Sequence, residues 1–477
     1  MKHLLLIFFA FCIVQGVHGQ APKSISHYPD TLDFFTVPKK PVQLTVRKIE
    51  LSGNEVSRRK VLLRELSVEE GDVISTDSLN YFVEESKLRL TNLTIFNEVE
   101  IKVVRVDADE MDWYIYVKER FYVFPQVTFQ LADRNFNVWW SEQNHNLNRI
   151  NLGLTGVDKN ISGNLDVLSA TVQAGYTQKL AISYTKPYVD KAQKNGLGIS
   201  LSYSRNHQIF FATDSNKLQY VGNYTGPYML TQFEGAISYI YRPGYATRHI
   251  LQLSYKDYSV SDTVPKLNHD YYLNGSKRLK LLELLYRFEY NHVDNWNYPL
   301  VGEKVVAYAL SRVGIEGFKF QNYLNVEVGY FRNPLRKWYT SVIFRGRLMV
   351  PENQPYAFEG GLGTAMDYIR GYEYYVINGS DYGVLRLDLK RELINFKLKE
   401  IPVKYFTTLP LRIYPKIFTD IAYVRTGVPG NAYLGNRLLY SVGAGVDIIT
   451  FYEIKIRLEL AYNQLGQNGL YLHSGSE

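Results

Sequence analysis

The sequence predicts a mainly β protein, a transmembrane antiparallel β-barrel preceded by one small α+β domain. Three observations predict it. From about residue 121 onward, apolar and polar residues alternate with a period of two in segment after segment. An apolar run of signal-peptide length opens the chain. The 477 residues include 40 Tyr against 24 Phe and 5 Trp, more phenols than a dry core can pair and well suited to a bilayer interface. With 46% hydrophobic and 21% charged residues and a mean hydropathy of −0.21, the chain is neither disordered nor a polytopic helical membrane protein. Residues 4–14 form its one long apolar run, too short to span a bilayer as a helix.

The first residues read as an address. Met1-Lys2-His3 is a positive start, residues 4–14 are the apolar stretch, and Val17-His18-Gly19 supplies small residues at a cleavage site. This predicts a signal peptide over 1–19, a mature start at Gln20, and a linker over 20–41. The one cysteine, Cys12, follows Phe11 inside the apolar run and does not resemble a lipoprotein site. The exported chain then has no thiol, disulfide or Cys-ligated metal. Without Lys2 its 53 basic and 47 acidic residues leave +6, with no block of five like charges. That balance suits weak attraction to anionic lipid and gives no sign of nucleic acid.

Residues 42–120 mix periods, as a small α+β domain does. A strand over 44–51 runs into the turn Ser52-Gly53-Asn54, and Ser57 is placed to cap a helix over 58–66. Gly71-Asp72 marks a break. A second helix begins around 75–78 and carries Leu79, Phe82, Val83, Ser86 and Leu90 on one stripe. Strands over 96–106 and 111–118, joined by a turn with Asp107 and Asp109, complete a β-α-α-β-β order.

Residues 121–477 follow the strand period. Leu385, Leu387 and Leu389 alternate with Arg386, Asp388 and Lys390; Ile454, Ile456, Leu458 and Leu460 alternate with Lys455, Arg457 and Glu459. The same rhythm recurs over 286–290, 324–330 and 342–348. Periodicity alone fits either a soluble sandwich with its polar face in water or a membrane barrel with its polar face in a wet lumen. The leader, the tyrosines and a length sufficient for about 14–18 strands favour the barrel. Closure also satisfies every backbone N–H and C=O in lipid.

No Gly-x-Ser-x-Gly elbow, phosphate loop or His-Glu-x-x-His occurs, and the mature histidines are dispersed, with His249 and His269 near strand ends. The expectation is therefore no enzyme, no metal and no cofactor. One segment stands out: Glu359-Gly360-Gly361-Leu362-Gly363, then Tyr368-Ile369-Arg370-Gly371-Tyr372. About thirty residues separate the strands on either side, long for an inert loop. Periodicity alone reads it as a surface loop with an incidental arginine. The functional reading folds Arg370 back into the lumen against an inward carboxylate.

These residues carry a resemblance. Ile369-Arg370-Gly371-Tyr372, with Gly360-Gly361 before it, resembles the Val/Ile-Arg-Gly-Tyr/Phe signature of the BamA/TamA outer-membrane barrels (POTRA domain plus bacterial surface antigen barrel) and their two-partner-secretion relatives. The segment 418–424 is similar to their Phe-x-Asp-x-Gly strand motif, with Ala422 in place of the glycine, and 294–302 to their Asp-x-x…Pro-x-x-Gly turn. The 42–120 unit resembles a POTRA domain. The resemblance implies sixteen strands, a periplasmic POTRA, a lateral seam between the first and last barrel strands, and an inward Arg370. Alternation makes Asp420 the first candidate partner of Arg370 and Glu459 the second. The implied function is assisted insertion, assembly or translocation of unfolded outer-membrane or secreted polypeptides in outer-membrane lipid, alongside assembly partners. The alternative on this fold is a non-enzymatic pore or surface antigen.

Overall fold

The computed structural model describes residues 41–120, 123–316, 319–352, 354–364, 367–399, 408–427, 432–450 and 454–474. The predicted signal peptide and nearly all of the predicted linker lie outside the described residues.

The N-terminal unit comprises β1 (Gln43–Ser52), α1 (Arg59–Leu63), β2 (Val73–Ser75), α2 (Thr76–Asn92), β3 (Phe96–Arg105) and β4 (Glu110–Glu119). Its sheet has the order β2-β1-β4-β3, with β1 and β4 parallel and the other pairs antiparallel. Alternation on β4 turns Met111, Trp113, Ile115 and Val117 toward the helices, where they meet Val46, Ile49, Leu62 and Leu90 in one core. The Ser75 hydroxyl accepts from the Asp77 N–H and starts α2. Two details differ from the sequence reading. β2 is an added strand, too short at three residues to leave a periodic signal. Ser57 does not cap α1, because the structure uses it elsewhere: its N–H donates to Glu119 Oε1 (2.8 Å) and its hydroxyl accepts from Asn160 Nδ2 (2.9 Å).

The remaining strands are β5 (Val123–Leu131), β6 (Ile150–Asp158), β7 (Val167–Gly175), β8 (Thr177–Lys186), β9 (Asn195–Asn206), β10 (Gln208–Asp214), β11 (Lys217–Gly222), β12 (Leu230–Tyr241), β13 (Thr247–Val260), β14 (Arg278–Val293), β15 (Gly302–Glu316), β16 (Phe320–Leu335), β17 (Trp338–Val350), β18 (Gly361–Leu362), β19 (Ile377–Asn378), β20 (Asp381–Arg391), β21 (Ile394–Lys399), β22 (Thr408–Arg425), β23 (Leu438–Ile449), β24 (Lys455–Asn463) and β25 (Asn468–Ser474). The pairs β10-β11 and β18-β19 are small ladders within loops. All the others form one closed barrel in which β25 returns to β5. β20 and β21 both pair with β22, from Asp381↔Arg425 to Lys390↔Lys416 and on from Ile394↔Ile413 to Lys399↔Thr408. Residues 391–393 face 414–415 between these ladders, one residue in excess, as in a β-bulge. The seventeen barrel segments are therefore sixteen strands.

The barrel is inverted in polarity relative to a soluble core. Along β24, Lys455, Arg457, Glu459, Ala461 and Asn463 are buried while Ile456, Leu458, Leu460 and Tyr462 are exposed. Along β20, Arg386, Asp388 and Lys390 are buried. Charged side chains line the inside and apolar ones the outside, which selects the barrel over the sandwich.

The N-terminal unit docks on the turns at one end, termed proximal here. Glu65, fully buried, receives Arg242 at both oxygens (2.6 and 2.7 Å) and the Tyr188 hydroxyl (3.0 Å). Arg64 donates to the carbonyls of Gln193 (2.6 Å) and Arg242 (2.7 Å), and Asn92 Nδ2 to the Tyr245 hydroxyl (2.9 Å). Burial opposes ionisation of Glu65, but Arg242 and Arg64 outweigh it and hold the carboxyl below its usual value of 4.5. A carboxylate lowered on docking stabilises the contact above its ordinary pKa and loses that contribution as pH falls through the lowered value. Spin labels at Lys87 and Lys191 should therefore report an unchanged docked distance down to pH 4.5 and a broadened one only below it. Glu65→Gln should broaden the distance at neutral pH, since it strands a buried guanidinium at a cost of about 3–5 kcal/mol.

Candidate functional site

The segment between β17 and β20 leaves the distal end of the barrel and turns back into it. Its base is held by Arg347 of β17, which donates to the carbonyls of Glu359 (3.1 Å), Gly379 (2.6 Å) and Ser380 (3.1 Å). Gly360 (φ +52°) precedes the β18-β19 ladder that Gly361 opens. Beyond it, Ile369 and Tyr372 pack with Leu362, Tyr382, Val384, Ala422, Val424 and Leu439 in a buried apolar cluster, and the Tyr372 hydroxyl donates to the Tyr440 carbonyl (3.3 Å). Ala422, which stands where the resembled strand motif has glycine, fits this cluster with 2% exposure.

Between Ile369 and Tyr372, Arg370 turns to the wall formed by β20 and β22. Its Nε donates to Asp420 Oδ1 (3.0 Å), its backbone N–H to Asp420 Oδ2 (3.0 Å), and its Nη1 to Asp388 Oδ1 (2.6 Å). Nη1 also lies 3.7 Å from Glu459 Oε1, and the guanidinium carbon stands 4.0 Å above the Phe418 ring. Arg370 is 1% exposed, so its charge is tolerable only because these carboxylates surround it. Gly371 permits the approach in two ways. Its φ of +85° is left-handed, and a Cβ there would lie 3.2 Å from Ala461 Cβ and 3.4 Å from Ser441 Cβ. Its carbonyl accepts from Asn463 Nδ2 (2.7 Å).

The cluster extends through the wall. Lys416 bridges Asp447 and Glu459, at 2.7 Å each, across Gly445 of β23. Gly445 has no side chain to separate them; a Cβ there would lie 3.1 Å from Glu459 Cγ. Arg386 stands opposite Asp420 in the β20-β22 ladder and 4.6 Å over the Tyr368 ring. From the proximal end, Tyr298 in the 294–302 turn donates to Asp447 Oδ2 (2.7 Å). His473 of β25 stacks on Tyr368 at 4.9 Å and puts Nε2 within 3.3 Å of Glu373 Oε1 and 3.5 Å of Glu459 Oε2. The arrangement binds a loop to β20, β22 and β24 by charge and meets β25 at His473, and among the described residues no group of His, Cys, Asp and Glu is disposed to hold a metal.

The structure thus brings Arg370, Asp420 and Glu459 together. Sequence reasoning missed Asp388 as a partner, although its alternation with Leu387 and Leu389 already placed it on the charged face. It also missed His473, which it counts only among the dispersed histidines; the alternation of Leu470 and Leu472 with Tyr471 and His473 is the available signal. His249 is a smaller departure: it is half-buried on the outer face, bonded to the Tyr286 hydroxyl (2.8 Å) and 5.4 Å from the Phe288 ring.

Comparison with known proteins bears on the fold. Residues 44–120 match the POTRA family, described as surface antigen variable number repeat. The fold resembles BamA from Haemophilus ducreyi lacking POTRA domains 1–3, at 15% identity and a TM-score of 0.50 over 91% of this chain and 84% of that one. It also resembles CdiB from Escherichia coli (11% identity, TM-score 0.53, 90% and 75% covered) and CdiB from Acinetobacter baumannii (12%, 0.51, 90% and 73%). A search of the curated proteins found no match.

Arg370→Ala strands Asp420 and Asp388 in the lumen. It should destabilise the barrel by about 3–5 kcal/mol in urea titration and lower the temperature at which its gel mobility shifts. Arg370→Lys keeps the charge but loses the guanidinium fork, and should fall between the two. Gly371→Val should match or exceed the alanine variant, since it adds backbone strain to a steric clash.

Proposed function

We propose that this chain is an outer-membrane barrel that assists the insertion, assembly or translocation of unfolded polypeptides through a lateral seam, with residues 121–477 in the membrane and residues 42–120 in the periplasm as a client-engaging POTRA domain. The observation that carries the reading is a closed barrel with an apolar outside and a charged inside, joined to a POTRA-matching unit and closed between its own first and last strands. Opened in lipid, the edges would leave backbone groups unsatisfied at several kcal/mol each, so an incoming strand that pairs with them is the favoured outcome. That is β-augmentation, and it needs neither nucleotide nor metal. Among the described residues β3 is an edge strand of the POTRA sheet, and an edge offers the same chemistry to an extended client.

The segment carrying Ile369, Arg370, Gly371 and Tyr372 acts in this reading as a latch. Through Asp388, Asp420 and Glu459 it braces strands on the C-terminal side of the seam, and through His473 it reaches the last strand itself. A steadily conducting pore fits less well, because this loop and Tyr298 occupy the lumen from opposite ends.

The test is a photoreactive residue at Val127 or Phe129, outward-facing on β5, in living cells. Adducts with nascent outer-membrane proteins or a secreted polypeptide are expected. Labelling confined to the chain itself and lipid would overturn the reading in favour of a closed pore or surface antigen. Removal of 42–119 should leave a heat-modifiable barrel whose adduct yield falls several-fold.

A further inference from the structure

Outward tyrosines mark the distal ends of the C-terminal strands. Tyr423 of β22, Tyr440 of β23 and Tyr462 of β24 are exposed on the outer face, each within two residues of the end of its strand. β5 and β6, the next strands round the barrel beyond β25, end differently. Their outward Val127, Phe129, Leu152 and Leu154 keep the face apolar almost to the Leu131↔Ile150 pair, but neither strand contains a tyrosine or a tryptophan.

The loop between these two strands supplies the rings. Phe136–Ser141 form a short helix, α3, whose two sides have opposite surroundings. Val138 and Trp139 are buried, Asn135 Nδ2 at the start of α3 donates to the Glu373 carbonyl (2.8 Å), and the Ser141 hydroxyl lies 3.4 Å from that of Tyr374. That side faces the latch segment. Phe136 and Trp140 lie one helical turn apart on the other side, their rings stacked at 5.6 Å, with the His145 ring 5.1 Å from Trp140. Trp140 is 54% exposed, a large apolar surface to leave without a partner. Asn137 Nδ2 sets the height of α3 by donating to the Leu470 carbonyl of β25 (2.7 Å). Leu470 is outward-facing and stands two residues, about 7 Å, from Asn468, the ladder partner of Tyr462. Phe136 and Trp140 are therefore level with the outer tyrosines of the wall.

We propose that Phe136 and Trp140 are a lipid-interface anchor, which seats the first distal loop in the headgroup boundary of the bilayer beside β25. The proposal rests on the reading of the barrel as membrane-embedded, and adds the residues that complete its distal aromatic girdle where the wall itself has none. A bilayer surface fits the patch because the patch continues an outer face that is already apolar. An indole is also most favourably placed where one edge meets hydrocarbon and the other meets water. Two rings on the side of a helix turned away from the lumen bury apolar area in that boundary without spanning it. α3 then bears on lipid with one side and on the latch segment with the other.

The experiment reconstitutes the full chain in phosphatidylcholine vesicles whose acyl chains are brominated either near the headgroups or near the midplane. Tryptophan emission is compared between the unaltered chain and Trp140→Phe, and the difference is the Trp140 contribution. A Phe344→Trp chain, altered on the outward face midway along β17, reports the wall in the same way. Gel mobility before and after heating verifies that each barrel is folded. The anchor predicts that the shallow bromines quench the Trp140 contribution at least twofold more than the deep ones do, and that the Phe344→Trp contribution shows the reverse order. A Trp140 contribution quenched by neither lipid, or no more by the shallow one, would overturn the anchor; if the Phe344→Trp chain is still quenched, the membrane barrel stands. No quenching in either chain would overturn both.

Discussion

A closed sheet with charges inside it sets the terms for everything else in this protein. Closure leaves no free edge along the wall, so the backbone is satisfied without water. The cost is carried by the side chains that alternate inward: Arg386, Asp388, Lys416, Asp420, Asp447 and Glu459 all lose their hydration. Each must find an opposite charge within the lumen. Arg370 supplies one from outside the wall, and that is why a distal loop is drawn into the lumen of a barrel it could otherwise simply cap.

The walls are built to receive it. β23 presents Ser441, Gly443 and Gly445 inward, the smallest lining among the strands around the cluster, and so lets Lys416 and Glu459 meet over it and Gly371 come close beside it. The loop is thus located by steric room as much as by charge. Charge alone would tolerate several placements of a guanidinium among four carboxylates, whereas the fork on Asp420 combined with the backbone N–H to the same carboxylate admits one.

Both ends of the barrel repeat the device with different partners. At the proximal end Glu65 of the N-terminal unit takes up Arg242 from a barrel turn, and at the distal end Asp133 takes up Arg149. A buried ion pair adds little to stability against an apolar alternative, but it enforces a single arrangement because a misplaced charge has nowhere to go. The three pairs fix the POTRA unit, the latch loop and the first distal loop to one frame.

Much of this was legible in the residues themselves. A strand's two faces are written in residues i and i+2, so the period of two, the set sharing the charged face on β20, β22 and β24, and the candidacy of Asp420 and Glu459 for Arg370 all follow from neighbours in the chain. Tertiary structure alone decided which face was inside, since alternation is the same in a sandwich and a barrel and only burial of Lys455, Arg457 and Glu459 beneath exposed leucines separates them. It also decided the partners. Arg370 and Asp420 are 50 positions apart and Arg242 and Glu65 are 177 apart, and nothing local encodes such a pairing. Ser57 was misread and His473 passed over for the same reason: a serine before a helix and a histidine near a terminus have ordinary local roles, and the Asn160 and Glu373 that claim them arrive only when the barrel closes.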